Sequence, residues 1–145
     1  MGDIAKDIQS TFPSNKVKAL INIKYTANWL NNKEVLFFKP FGLSPQQYNV
    51  LRILRGAGKP MKAQLVKERM IDRSPNTTRM MDKLLDKKLI SRYRCEHDRR
   101  VVFIEVTKKG LDLIDEISKS TRLEFLDKIT EKEAALLSDL LDKLR

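Results

Sequence analysis

Apolar residues recur at helical spacing along most of this chain, and in one stretch they alternate instead. From Lys16 to about Phe38, Val17, Leu20, Ile21, Ile23, Ala27, Leu30, Val35, Leu36 and Phe38 cover more than one stripe of a long helix, with Tyr25 and Trp29 among them and Ser14 as its cap. A helix so apolar needs more than one neighbour to bury it. The residues before it, 1 to 13, have little periodicity and end at Pro13, so a loosely held arm is expected. Pro40 and Gly42 interrupt the pattern, and Ser44-Pro45-Gln46-Gln47 restarts it as a capping box with proline at the first helical position. This second helix carries Val50, Leu51 and Leu54, and should end near Arg55, where Gly56 and Gly58 follow. A short uncapped helix from Ala63 to Met70 turns Leu65, Val66 and Met70 inward.

A tight turn at Ile71 to Arg73 leads into a further helix, with Ser74 as its cap and Pro75 at its first position, ending near Lys87. Thr77, Met81, Leu84 and Leu85 share its inner face, with Met80 at the margin, while Asn76, Arg79 and Lys83 point the other way. Then the period changes. Leu89 to Cys95 and Val101 to Val106 are rich in β-branched and aromatic residues and flank the polar run Glu96 to Arg100, the pattern of a β-hairpin. Thr107 caps another helix, whose Leu111, Ile114, Ile117, Thr121, Phe125 and Ile129 keep helical spacing over a long span. Thr130-Glu131-Lys132-Glu133 is a second capping box, opening a last helix with Leu136, Leu137, Leu140, Leu141 and Leu144 on one face. That stripe has little left in one small module to bury against, which argues for a second chain.

Charge sharpens the picture. The formal charge is +10 over 145 residues, and residues 62 to 109 hold 14 Lys+Arg against 7 Asp+Glu, a balance of +7. Residues 110 to 145 hold 6 against 9, a balance of −3. The positive charge therefore accompanies the Ser74 helix and the hairpin, and favours a polyanionic partner. No apolar run approaches the ~20 residues needed to span a bilayer, and the start MGDIAKD lacks a signal-peptide core, so a cytoplasmic protein without a membrane partner is expected. The single cysteine, Cys95, excludes an intrachain disulfide framework and suits a reducing compartment.

Two short helices joined by a tight turn, the second basic outside and apolar inside, form a helix-turn-helix that would lay its second helix in a DNA major groove. With a hairpin after it, the unit is a winged helix. At this point the chain resembles the MarR family of bacterial regulators. The segments that carry the likeness are LSPQQYNVLRIL, SPNTTRMMDKLLDKKLI and HDRRVVFIEVTKKG, above all Asp98-Arg99-Arg100 followed by a strand and Thr107-Lys108-Lys109-Gly110. The fold class is then mainly α with a small β-hairpin, a single 1–145 domain in which a winged helix-turn-helix module, 44–107, is flanked by dimerisation helices at 14–38 and 108–145. The resemblance implies a homodimeric transcription regulator on a pseudo-palindromic operator, often a repressor released by a small molecule or an oxidant. Two departures stand out. Lys88 stands where the family commonly has glycine, so a differently shaped exit from the recognition helix is expected. The N-terminal cysteine of the family's peroxide sensors is absent, which argues against a peroxide sensed in that way; the candidate inducer that accompanies the resemblance is a small aromatic ligand.

Candidate DNA contacts follow from residue type. On the recognition helix these are Ser74, Asn76, Thr78, Arg79 and Lys83, since asparagine and arginine can make bidentate contacts with adenine and guanine. At the wing they are Arg99 and Arg100, with Asp98 as the carboxylate that orients an arginine. The resemblance implies that Arg100 reaches into the minor groove, where an arginine at a hairpin tip suits a narrow groove of strong negative potential. Asp82 would repel phosphate, and its partner is Arg79, Lys83 or Arg92. Arg73, Arg92 and Arg94 are candidate phosphate contacts, with surface packing as their alternative role. Dimerisation falls to Val17, Leu20, Leu137, Leu140, Leu141 and Leu144. Core packing is the main account of the first helix's aromatics; a ligand pocket lined by Tyr25, Trp29 and Tyr48 is the other. Of Cys95, Glu96, His97 and Asp98, a strand places Cys95 and His97 on one side, which leaves a zinc site without its third and fourth partners, and there is no phosphate-binding glycine loop, so no catalytic residues, metal or cofactor are expected. The rival to DNA binding is a winged-helix module that binds protein instead.

Overall fold

A computed structural model describes residues 2–73, 76–120 and 123–145. The elements run α1 (Ile4–Asp7), α2 (Asn15–Phe38), a 3₁₀ turn (Lys39–Phe41), α3 (Pro45–Ala57), β1 (Met61–Lys62), α4 (Ala63–Arg69), α5 (Thr77–Asp86), β2 (Ile90–Arg94), β3 (Val102–Val106), α6 (Lys108–Ser120), a second 3₁₀ turn (Leu126–Lys128) and α7 (Glu131–Lys143). Contacts divide the chain into two compact units, residues 1–114 and residues 115–145.

The core of the first unit is drawn from each short element in turn. Val50, Leu51 and Leu54 of α3, Val66 of α4, Met81 and Leu84 of α5, and Ile90 and Ile104 of the hairpin are all buried, so the helix-turn-helix and the sheet share one interior. Burying each such side chain stabilises the fold by roughly 1.5–3 kcal/mol. Gln47, Asn49 and Thr77 are the buried polar side chains among the described residues: Gln47 Oε1 accepts from the Ser44 N–H at 3.0 Å, completing the capping box, and Asn49 Oδ1 accepts from the Ile71 N–H at 3.1 Å, holding the turn before α5. The sheet order is β1-β3-β2, all antiparallel, with Met61 opposite Ile104 and Arg92 also opposite Ile104 from the other side.

Several expectations are corrected. The N-terminal segment is not a loose arm: Asp3 caps α1, Ile4 is buried, and the Asp3 carboxylate pairs with Lys18 of α2 at 3.3 Å. Helix α3 runs through Gly56 and stops at Gly58, whose φ of 64° is a left-handed conformation that glycine adopts without strain. Leu65 faces outward. The strand β1 was not foreseen, because two residues carry no readable alternation. Helix α5 begins at Thr77, later than expected, while the Ser74 cap and Pro75 lie outside the described residues. The long helix expected to reach Ile129 ends at Ser120; Thr121 lies outside the described residues, and Phe125 and Ile129 belong to the 3₁₀ region that follows. Tyr25 and Trp29 are exposed rather than core, with the Lys33 ammonium 4.8 Å from the Trp29 ring.

The exit from α5 also differs from expectation, in that Lys88 does take the left-handed form, with φ 58°. The Lys88 N–H donates to the Leu85 carbonyl at 2.8 Å and the Leu89 N–H to the Leu84 carbonyl at 3.0 Å, the paired bonds of a Schellman ending. The start of α6 grips the same turn. Thr107 donates from its hydroxyl to the Lys88 carbonyl (2.8 Å) and from its N–H to the Leu89 carbonyl (3.0 Å), and its oxygen accepts the Gly110 N–H (3.1 Å). A Cβ on Gly110 would sit 2.4 Å from the Leu89 carbonyl oxygen, so no larger residue fits without a shift.

Candidate nucleic-acid interface

Helix α5 has the face the sequence predicts. Thr77, Met81 and Leu84 are buried, and Asn76, Thr78, Arg79 and Lys83 are exposed. The Thr78 hydroxyl is 3.4 Å from the ammonium of Lys67, which brings α4 to the same surface. Lys67 was missed by sequence reasoning, since an uncapped helix gave no sign of which side it would turn towards α5.

At the wing, Cys95 N–H donates to the Val101 carbonyl and Val101 N–H to the Asp98 carbonyl, each at 2.9 Å, closing the loop tightly. Asp98 Oδ1 accepts from both the Arg100 backbone N–H (3.0 Å) and the Arg100 Nε (3.2 Å). The carboxylate therefore fixes the root and the head of Arg100, while that side chain stays 93% exposed. Arg99 is exposed as well, and its carbonyl accepts from Arg94 Nη1 at 3.1 Å.

The three candidate phosphate contacts are each engaged within the chain. Arg73 Nη2 donates to the Glu68 carbonyl at 3.1 Å, Arg94 braces the loop as described, and Arg92 Nη1 donates to Asp82 Oδ1 at 2.9 Å. Of the three partners considered for Asp82, the bond in the structure is to Arg92. Between α4, α5 and the hairpin lies a cavity of about 420 Å³, lined by Lys67, Thr78, Arg92 and Arg94 above Met81 and Ile104, among others. Tyr25, Trp29 and Tyr48 do not line it; Tyr48 stacks on Phe38 with ring centroids 4.6 Å apart. Among the described residues no group of three His, Cys, Asp or Glu could hold a metal ion, and no helix is long and apolar enough to cross a membrane.

A helix-turn-helix whose second helix shows a basic face, followed by an antiparallel hairpin with an exposed arginine at its tip, defines the winged-helix class of DNA-binding proteins. The comparisons narrow this. Residues 36–117 match the family model described as transcriptional regulator SarA/Rot. The HTH-type transcriptional regulator MhqR of Bacillus subtilis is 29% identical over 106 residues, 71% of this chain and 72% of that protein. A MarR transcription factor from Planctomyces limnophilus is 30% identical, with 92% of this chain and 98% of that one covered and a TM-score of 0.70. A mutant MarR from E. coli, solved with operator DNA, shares the fold at 22% identity, 92% and 99% coverage and a TM-score of 0.75. The chain belongs to the MarR-type winged-helix transcriptional regulators, in the SarA/Rot family. Its relatives regulate transcription and are not enzymes.

Proposed function

We propose that this regulator is a cytoplasmic homodimer that binds a pseudo-palindromic operator in double-stranded DNA as a repressor. In this reading α5 enters the major groove with Asn76, Thr78, Arg79 and Lys83, joined by Ser74, and Arg100 enters the flanking minor groove, with Arg99 at its side. The observation that carries it is the Asp98–Arg100 pair, which holds an almost fully exposed guanidinium at the hairpin tip. A solvated loop has no need of a doubly bonded, pre-aimed arginine, whereas a narrow groove of negative potential attracts one. The dimer is supported by apolar side chains left exposed within each unit, Val17 and Leu20 on α2 and Leu137 and Leu140 on α7. A small aromatic molecule is the proposed releasing signal, with the exposed rings of Tyr25 and Trp29, and Tyr48, as its candidate contacts.

The test is a binding titration on a duplex selected from random DNA and on a scrambled one, at two salt concentrations. Arg79→Ala should cost roughly 1–3 kcal/mol on the selected duplex and far less on the scrambled one. Arg100→Ala should weaken binding most where the flanks are A·T-rich, and should flatten the salt dependence. Asp98→Ala should give a milder version of the same defect. Unchanged affinity for Arg100→Ala on every duplex would instead favour a module that binds protein. A panel of aromatic acids added to the preformed complex tests release.

A further inference from the structure

Asp82 puts a half-exposed carboxylate on α5 beside Arg79, at the margin of the surface proposed to approach phosphate. Its partner Arg92 comes from the middle of β2, so the pair bridges the two elements proposed to read DNA. The fold has little need of this bridge. Side chains of Asp82 and Arg92 are 51% and 45% exposed, and an ion pair so open to solvent adds little to stability. Helix and hairpin are already joined by buried Met81, Leu84, Ile90 and Ile104, and by the Thr107 bonds to the turn between them. The pair acts instead on whatever approaches: a paired arginine is one fewer cation for phosphate, and Arg92 stands in a cluster with Lys67 and Arg94 around one cavity.

We propose that Asp82 is a specificity-determining residue that withholds the Arg92 guanidinium from phosphate, lowering affinity for DNA of any sequence more than affinity for the operator. The proposal rests on the DNA-binding reading above. Phosphate contacts supply affinity without sequence information, whereas base-edge contacts discriminate. Freeing one more cation therefore lifts binding to unrelated duplexes, where phosphate contacts are nearly all there is. On the operator, where the register is fixed by base contacts, the freed arginine gains less.

The experiment is a double-mutant cycle with Asp82→Asn, Arg92→Gln and both together, each first shown by thermal melting to be folded. Binding is titrated on selected and scrambled duplexes over a range of salt. Asp82→Asn should bind the scrambled duplex several-fold more tightly, with a smaller gain on the selected one. Its slope of log affinity on log salt should steepen by about 0.9, the share of one extra phosphate contact. In the Arg92→Gln background, Asp82→Asn should lose that gain. The same gain in both backgrounds would mean that Asp82 acts only as a repelling charge, and would overturn the proposal. So would weaker binding by Asp82→Asn on both duplexes. An unmodified chain that binds neither duplex would remove the DNA-binding reading itself, a failure distinct from either of these.

Discussion

Lys88 occupies a backbone conformation that favours glycine, at φ 58°, on the turn between α5 and the wing. Two Schellman bonds and the Thr107 hydroxyl hold it there, which together outweigh a strain of roughly 1 kcal/mol. Lys88→Gly should therefore raise stability by up to about 1 kcal/mol, read as a shift in the urea midpoint with unchanged slope. A midpoint that stays or falls would show that the lysine stem supports the turn in another way. The sequence flagged this position but suggested a different exit, because the bonds from Thr107 that impose the shape come from 19 residues away. Asp98 and Arg100 were legible for the opposite reason: they are two residues apart, and one loop contains the whole interaction. Arg92 lies between these cases. It was one of three partners for Asp82, and only the packing of β2 beside α5 decides among them.

Elements announced by side-chain chemistry within four residues were readable, namely α2 behind Ser14 and the capping boxes at Ser44 and Thr130. Boundaries that depend on distant partners were not. Strand β1 exists only because Met61 and Lys62 meet Ile104 and Phe103, and α6 stops at Ser120 although the apolar spacing runs on. The box that opens α7 has a pH signature. The Thr130 backbone N–H and then its hydroxyl bond to the Glu133 carboxylate and hold its pKa below the ordinary value. A depressed folded pKa gives a contribution fully present above the unfolded value and lost as pH falls through the folded one. The first turn of α7 should accordingly fray in acid, seen as loss of amide protection at Glu133 and Ala134. Glu133→Gln should remove that pH dependence while leaving some capping.

For the whole molecule, the exposed leucines are what supports the proposed dimer. Leu136, Leu137, Leu140 and Leu144 are each more than half exposed, and Leu36 on α2 is 69% exposed. Within each unit, exposed apolar side chains recurring along one helix are the mark of an interaction site. Aspartate at both Leu137 and Leu141 should give a folded monomer by sedimentation and lose most operator affinity, since two half-sites bound by linked copies gain from high effective concentration. A monomer from the unmodified chain at micromolar concentration would sink the dimer. The helix-turn-helix and hairpin were legible as a module because their apolar periods close on one another. The outer helices were legible only as carrying a surplus of apolar positions.

The central place of β3 in its sheet has a consequence in time. Phe103 and Ile104 are paired on both sides, β2 is bonded on one edge only, and the loop from Cys95 to Val101 is closed by its two backbone bonds. Opening free energies should therefore fall in steps from the root of the hairpin to its tip. In deuterated solvent, the Ile104 amide should exchange near the rate of global unfolding, and the Cys95 and Val101 amides orders of magnitude sooner. On the proposed reading, the arginine aimed by Asp98 would then ride on the part of the hairpin expected to open first, above a base expected to open last, and the wing would resettle on each groove it meets without disturbing α5.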